Sequence, residues 1–283
     1  MGLMVVDSII FFNELDMLEL RLSIMADHVD RIVIVESDHT FTNIKKPYFF
    51  EENVSKFSKW IDKIVYLKVN SPCFDDPWMN ESWSRDMLKS GWYGLEDNDV
   101  IIMSDVDEIV RPETINYIKN TSNSYYGLIM PVSYYKFNYV DVLSDQVGYV
   151  AWAGAYRGYH NSQPSSLRKF REYKKDYIFL HHAGWHFSWM GNDEALYKKL
   201  KSFSHTEVDI PEIEDNLKHL NFIMNNKIDH IRSDRMKYSV VDLDSYFPEY
   251  ILNNKEKYKD FILPDTGEKV LDHYKFEILQ LQR

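Results

Sequence analysis

The sequence predicts an α/β fold whose central sheet is mainly parallel and covered on both faces. Four apolar runs of strand length recur up to Ser104: Met4 to Phe12, Arg31 to Glu36, Lys63 to Val69 and Asp99 to Ser104. Segments with helical spacing or helix-start residues lie between them. Strands that alternate with helices, and are apolar on both faces, are the mark of a doubly covered parallel sheet.

Each element has a local reason. Asn13 stands where the first helix begins, as a cap, and Leu15, Leu18, Leu22 and Met25 repeat behind it at helical spacing. "RIVIVE" makes the second strand. After the loop "KKPYFFEEN" a short helix is expected over Val54 to Ile61, and "KIVYLKV" forms the third strand. A polar loop with Pro72 and Pro77 leads to a helix from Asn80 to Trp92. Asp99 to Ser104 is the fourth strand, and Pro112 starts a helix that runs through Lys119. The second half differs. Tyr126 to Tyr139 is a long β-rich run, and helices are expected over Asp193 to Phe203, Pro211 to Asn225 and Pro248 to Tyr258. The whole reads as one body with a helical C-terminal annex.

Composition bounds the function. The net charge of −11 argues against nucleic acid as a main partner, because neutralising phosphates requires a basic face. The one basic run, Arg168 to Lys175, reads as a solvated loop. A single cysteine, Cys73, excludes an internal disulfide framework. The N-terminal apolar run is far shorter than the roughly 20 residues of a membrane span and lacks the features of a signal peptide. A cytoplasmic protein without a membrane span is expected. Aromatic residues make up 15% of the chain, which suits both a core and sugar-stacking surfaces.

The most informative stretch is "DVIIMSDVDEIV", Asp99 to Val110. A buried-strand pattern ends in Asp105, Asp107 and Glu108. Ligands of parallel α/β sheets bind beyond such strand ends. Two carboxylates about 4 Å apart repel by roughly 4 kcal/mol at an effective dielectric near 20. A divalent cation removes that repulsion, and a nucleotide diphosphate can complete its shell. Helix capping explains one acid, not three. Asn13 and Glu14 follow strand one, Glu36 closes strand two, and Arg85 precedes strand four; each is a candidate for the same ligand.

A second cluster, Phe179 to Lys199, holds His181, His182 and His186. It has no zinc-type spacing. One histidine added to Asp105 and Asp107 makes an oxygen–nitrogen site for Mn²⁺ or Mg²⁺, and His186, in its Gly- and Trp-flanked turn, is the candidate. His181 and His182 read as core histidines. Glu194 opens a helix, with Lys199 further along it.

Together these motifs resemble the glycosyltransferase family of β-1,4-mannosyl-glycoprotein 4-β-N-acetylglucosaminyltransferase. The likeness is carried in order by "FFNELDMLELRL" (Phe11 to Leu22), "VDRIVIVESDHTF" (Val29 to Phe41), "KKP" (Lys45 to Pro47) and "DVIIMSDVDEI". "AGWHFSW" (Ala183 to Trp189), Glu194 with Lys199, and "PEYILNNKEKY" (Pro248 to Tyr258) continue it. The resemblance implies a GT-A-like nucleotide-sugar fold and one glycosyltransferase domain. Residues 1–125 would bind the nucleotide sugar, and 126–283 the acceptor. It implies an inverting, metal-dependent transferase with UDP-N-acetylglucosamine as donor. Asp105 and Asp107, with His186, would hold Mn²⁺ or Mg²⁺, and Arg85 or Lys199 would add positive charge at the diphosphate. Glu194 leads as catalytic base, followed by Glu108. Trp185, Trp189, Tyr135 and Trp152 would stack on the acceptor. The animal enzyme's membrane anchor has no counterpart here, so a microbial or viral glycan acceptor is expected.

Two other classes compete. A metal-dependent phosphatase or phosphotransferase would also use a D-x-D, but after an early strand and with a paired downstream acid. A non-catalytic glycan-binding module would explain the aromatics and leave the acidic strand end without a purpose.

Overall fold

The computed structural model describes residues 2–141, 153–169, 178–191, 193–206 and 238–273. Four strands, β1 (Val5–Phe11), β2 (Arg31–Ser37), β3 (Ile64–Val69) and β4 (Val100–Asp105), form the parallel heart of a seven-stranded sheet in the order β4-β1-β2-β3. Beyond β4 the sheet continues with β9 (Ala153–Arg157), β6 (Tyr125–Leu128) and β10 (Ile178–Leu180). β9 runs antiparallel to both its neighbours.

Alternate residues of these strands feed two cores. Val5, Ile9, Ile32, Ile34 and Ile102 pack with α1 (Leu15–Met25) and α4 (Pro112–Lys119). Val6, Val33, Val35, Ile101 and Met103 pack with Leu88, Trp92 and Leu167 on the other face. Burial on both faces is why these strands read as unbroken apolar runs.

Helix boundaries depart from the sequence reading for local reasons. α1 begins behind Glu14, with no side-chain cap; the Glu14 carboxylate accepts the amides of Phe12 and Asn13 at 3.3 and 3.0 Å. Asn13 therefore does not cap the helix. The segment after "KKP" opens with a single turn, α2 (Phe49–Glu52), and continues as a 3-10 helix over Val54–Lys63. α3 (Pro77–Asp86) starts three residues early, because Pro77 fits the first helical position and Asp76 accepts the Trp78 amide at 2.9 Å. A 3-10 turn, Met87–Gly91, replaces the expected tail of that helix.

The second half contains a feature that the sequence reading did not anticipate, a second sheet. β5 (Glu108–Val110), β7 (Val132–Tyr134), β8 (Tyr139–Asp141), β11 (Gly184–Ser188) and β12 (Tyr238–Val240) pair in the order β12-β8-β7-β11-β5. The long β-rich run is thus cut into β6, β7 and β8, with Tyr135 at φ +64° where the chain turns between β7 and β8. α5 (Pro164–Lys169) and α6 (Asp193–Ser202) follow, and Leu196 and Leu200 fasten α6 to this sheet. Of the helix expected over Pro248 to Tyr258, α7 (Glu249–Asn253) forms; a 3-10 turn, Lys259–Phe261, and a last described helical turn, α8 (Val270–His273), follow it. The helix expected at Pro211 to Asn225 lies outside the described residues, so the annex is seen here as a small sheet with short helices.

The two sheets meet at the acidic stretch. β4 ends at Asp105 in the first sheet, and β5 begins at Glu108 in the second. β5 pairs antiparallel with β11, setting Glu108 opposite His186 and Val110 opposite Gly184. A Cβ on Gly184 would fall 2.1 Å from the Ile109 carbonyl oxygen, so this pairing admits only glycine there.

Candidate active site

The parallel strands end level with one another. Phe11 is in register with Glu36, and Ile10 with Asp105. Residues 12–14, 37–38 and 105–108 therefore emerge on one rim, where an open α/β sheet binds its ligands.

Asp105 is gripped by two arginines. Arg85, on α3, places Nη1 and Nη2 each 3.1 Å from Oδ1, and Arg168, on α5, places Nη2 2.8 Å from Oδ2. The Asp105 side chain keeps 38% of its exposure, the wet point of the cluster. Burial opposes its charge, but Arg168 and then Arg85 outweigh that and hold the carboxyl well below the usual carboxylate range. Arg85 also donates to Glu81 at 2.8 Å, and Glu81 accepts the Ser204 hydroxyl.

Asp107 is buried and faces the second sheet and α6. Lys199 Nζ lies 3.3 Å from its Oδ2, and His186 Nε2 lies 3.7 Å from its Oδ1. Burial works to lower the Lys199 pKa, yet Asp107 and Glu14 raise it above that of an ordinary lysine. Glu108 is sealed, at 0% exposure. Its Oε2 accepts the Asp105 amide at 2.7 Å and meets Arg168 Nη1 at 3.5 Å. Its Oε1 has no hydrogen-bond partner among the described residues.

Beneath the turn lies a fully buried ion pair. Arg21 of α1 donates Nε and Nη2 to Asp7 of β1 at 2.8 and 2.5 Å. Its remaining donors reach the carbonyls of Asp105 (3.0 Å) and Glu108 (2.8 Å) and the Ser104 hydroxyl (2.7 Å). One guanidinium thus fixes both ends of the D-x-D-E turn from behind, through backbone groups.

The acids of the turn thus meet Arg85, Arg168 and Lys199. In this conformation guanidinium and ammonium groups, as well as any cation, answer the repulsion for which the sequence suggested a metal. Among the described residues, no group of three or more Asp, Glu, His or Cys side chains converges as a ready-made cation site. Of the expected trio, Asp105 is held by two arginines in this conformation, and Asp107 and His186 face each other.

A model of glycosyltransferase family 17 matches residues 2–231. The chain belongs to this family. It is 24% identical to the rat and 25% identical to the human β-1,4-mannosyl-glycoprotein 4-β-N-acetylglucosaminyltransferase, each over 90% of this chain and 54% of the relative. It therefore spans about half the length of the curated relatives it matches. A solved glycosyltransferase from Streptococcus pneumoniae, GlyE, covers 64% of the chain and is itself covered over 45%, with 12% identity and a TM-score of 0.36. That likeness is too distant to carry an argument.

The family 17 chain brings Arg85, Asp105, Asp107, Glu108, His186 and Lys199 into one contact network. The Lys199 pKa also feels Glu14, across the rim. Other candidates lie elsewhere. Glu36 is buried and takes four donors: Lys46 (2.9 Å), the amides of Phe49 (2.6 Å) and Phe50 (3.0 Å), and the Tyr66 hydroxyl (2.8 Å). Its carboxylate organises the start of α2. Glu194 is 75% exposed at its side chain and pairs with Lys198 at 2.8 Å. It sits five residues from Lys199, which is about 140° round a helix at 3.6 residues per turn. The two side chains therefore leave α6 on different sides.

The proposed stacking aromatics are largely inside the protein. Tyr135 is fully buried, and Trp189 is buried with Lys199 Nζ 5.4 Å from its ring. Trp185 donates its indole N–H to the Tyr246 carbonyl at 3.0 Å, and Arg111 covers its face at 3.9 Å. Buried rings offer no stacking face in this conformation. Trp152 lies outside the described residues. His182 is a core histidine, hydrogen-bonded to the Tyr246 hydroxyl at 2.7 Å.

Arg168 and Arg21 were missed. The Arg168 side chain is 11% exposed and ion-paired, not part of a solvated loop, and nothing local in its sequence signals a partner 63 residues away. Arg21 did leave a trace: an arginine on the apolar face of α1, matched by Asp7 inside an otherwise apolar strand.

Proposed function

We propose that this family 17 chain moves a sugar from a nucleotide-sugar donor to a glycan hydroxyl with inversion, with UDP-N-acetylglucosamine as the donor. The observation that carries the reading is the Asp105–Glu108 turn at the rim of β1, β2 and β4, ringed by cations that suit a diphosphate. Arg85 and Lys199 supply positive charge where the leaving group develops its own. Asn13 and Glu14, which follow β1 on the same rim, are assigned to the nucleotide.

Asp107 and His186 are the groups that would hold a divalent cation. Two ligands about 2.1 Å from one octahedral ion stand about 3 Å apart, near the observed 3.7 Å. Two protein ligands suffice where phosphates and water complete the shell. A cation bound there stabilises negative charge on the leaving diphosphate. Asp105 is assigned to orientation rather than to the ion.

The acceptor hydroxyl must lose a proton to a base. Glu108 is sealed, and Glu194 is open but turned away from Lys199. Glu194→Gln is expected to change kcat less than about threefold, against the hundredfold or more that general-base loss costs. Steady-state transfer assays read this directly, and a hundredfold loss would restore Glu194 as the base.

A panel of UDP- and GDP-sugars, titrated by calorimetry with and without Mn²⁺, tests the whole reading. Binding of one UDP-sugar that tightens with Mn²⁺ is expected. Glycan binding that ignores both nucleotide and Mn²⁺ would favour a glycan-binding module instead. No helix among the described residues is long and apolar enough to cross a membrane.

A further inference from the structure

Arg168 straddles two carboxylates. Nη2 holds Asp105 Oδ2 at 2.8 Å, while Nη1 barely reaches Glu108 Oε2 at 3.5 Å. Glu108 is fully buried, and its Oε1 has no partner among the described residues. A buried carboxylate oxygen without a donor is a standing cost, and a two-pronged guanidinium–carboxylate fork is the geometry that removes it. Asp105, by contrast, is the exposed member of the cluster and is also held by Arg85. It can lose one arginine and stay paired.

The base that carries Arg168 is firm. α5 packs Leu167 into the core, its Ser165 amide donates to Asp86 at 2.8 Å, and the Tyr156 hydroxyl donates to the Leu167 carbonyl at 3.2 Å. Both acceptors already lie within 3.5 Å of the guanidinium, so a shift between them needs no movement of the helix.

We propose that Arg168 is a donor-responsive positioning residue: it holds Asp105 in the arrangement described above and moves onto Glu108 when the donor engages Asp105. The shift rests on the donor reading above. It keeps the charge of the buried cluster constant, fills the empty Glu108 acceptor, and frees Asp105 Oδ2 for a hydroxyl of the nucleotide sugar. Glu108 is then the parking site for Arg168, which explains a third acid in the turn that is sealed from solvent.

The test is epistasis in nucleotide affinity, with UDP plus Mn²⁺ as the calorimetric probe and circular dichroism as the check on folding. Glu108→Gln removes the parking site and is expected to weaken UDP about tenfold, the scale of one charge-assisted contact. Adding Arg168→Gln removes the group that has to be parked and is expected to bring affinity back to within about threefold of wild type. A static buried pair would also recover folding stability in the double variant, because the unpaired charge is gone, so the urea midpoint of each variant is measured beside its affinity: UDP affinity that merely follows the midpoint overturns the shift. If R168Q does not fold, R168K serves, since lysine keeps the charge but cannot fork. It is expected to give partial recovery in the E108Q background. Unchanged UDP affinity in E108Q, or no recovery in the double variant, overturns the shift and leaves the transferase reading standing. A wild-type chain that binds none of the nucleotide sugars overturns that reading and the shift with it.

Discussion

Asp107→Asn is expected to lower nucleotide-sugar turnover by about a hundredfold or more and to abolish any gain in affinity from Mn²⁺, with the fold intact. Asparagine keeps the shape of the side chain and loses the charge that holds Lys199 and faces His186. The matching change at Asp105 separates the two acids. Asp105 is bound by Arg85 and Arg168, so Asp105→Asn should weaken donor binding while a response to Mn²⁺ survives. Turnover and calorimetry on both variants with and without Mn²⁺ read the difference. If D107N keeps its Mn²⁺ response and D105N loses it, the assignment is reversed.

The second large effect concerns stability. Asp7→Asn leaves Arg21 as a fully buried charge whose main partner has lost its own. Breaking one side of a buried pair costs about 3–5 kcal/mol, and both partners here are buried. That is a large part of a domain's total stability. Urea unfolding should show a matching fall in midpoint. Asp7→Leu combined with Arg21→Met should recover much of the loss, because an apolar pair of similar volume removes the buried charges together. Recovered stability should not bring recovered turnover, since a thioether side chain has no donors to hold the carbonyls of Asp105 and Glu108 as Arg21 does.

The parallel heart of the first sheet was legible in the sequence. β1 to β4 appear where apolar runs of strand length predict them, because strands buried on both faces leave an unbroken hydrophobic signal. The turn after β4 was legible for the opposite reason: three acids after "VIIMS" break that pattern. The second sheet was not legible. β5, β7, β8, β11 and β12 are short, and apart from the β7–β8 hairpin their pairings join residues far apart in the chain, such as Ile109 with Trp185. No local periodicity records such partners. The same limit applies to the charges. The acids of the turn could be read, but the cations around Asp105 come from α3 and α5, and only the tertiary structure shows that Arg168 is among them. The aromatics of "AGWHFSW" were read by residue type, which suits sugar and core alike; burial assigns Trp185 to the core.

Only Val106 and Asp107 separate β4, in the first sheet, from β5, at the edge of the second. With so short a tether, neither sheet can slip by a residue against the other without dragging the acidic turn with it. Changes that reshape β7 or β8 lie on the far side of this joint, while the rim of β1, β2 and β4 keeps its dimensions. The turn is thus both the place where chemistry is proposed and a splice that holds the two sheets to one spacing.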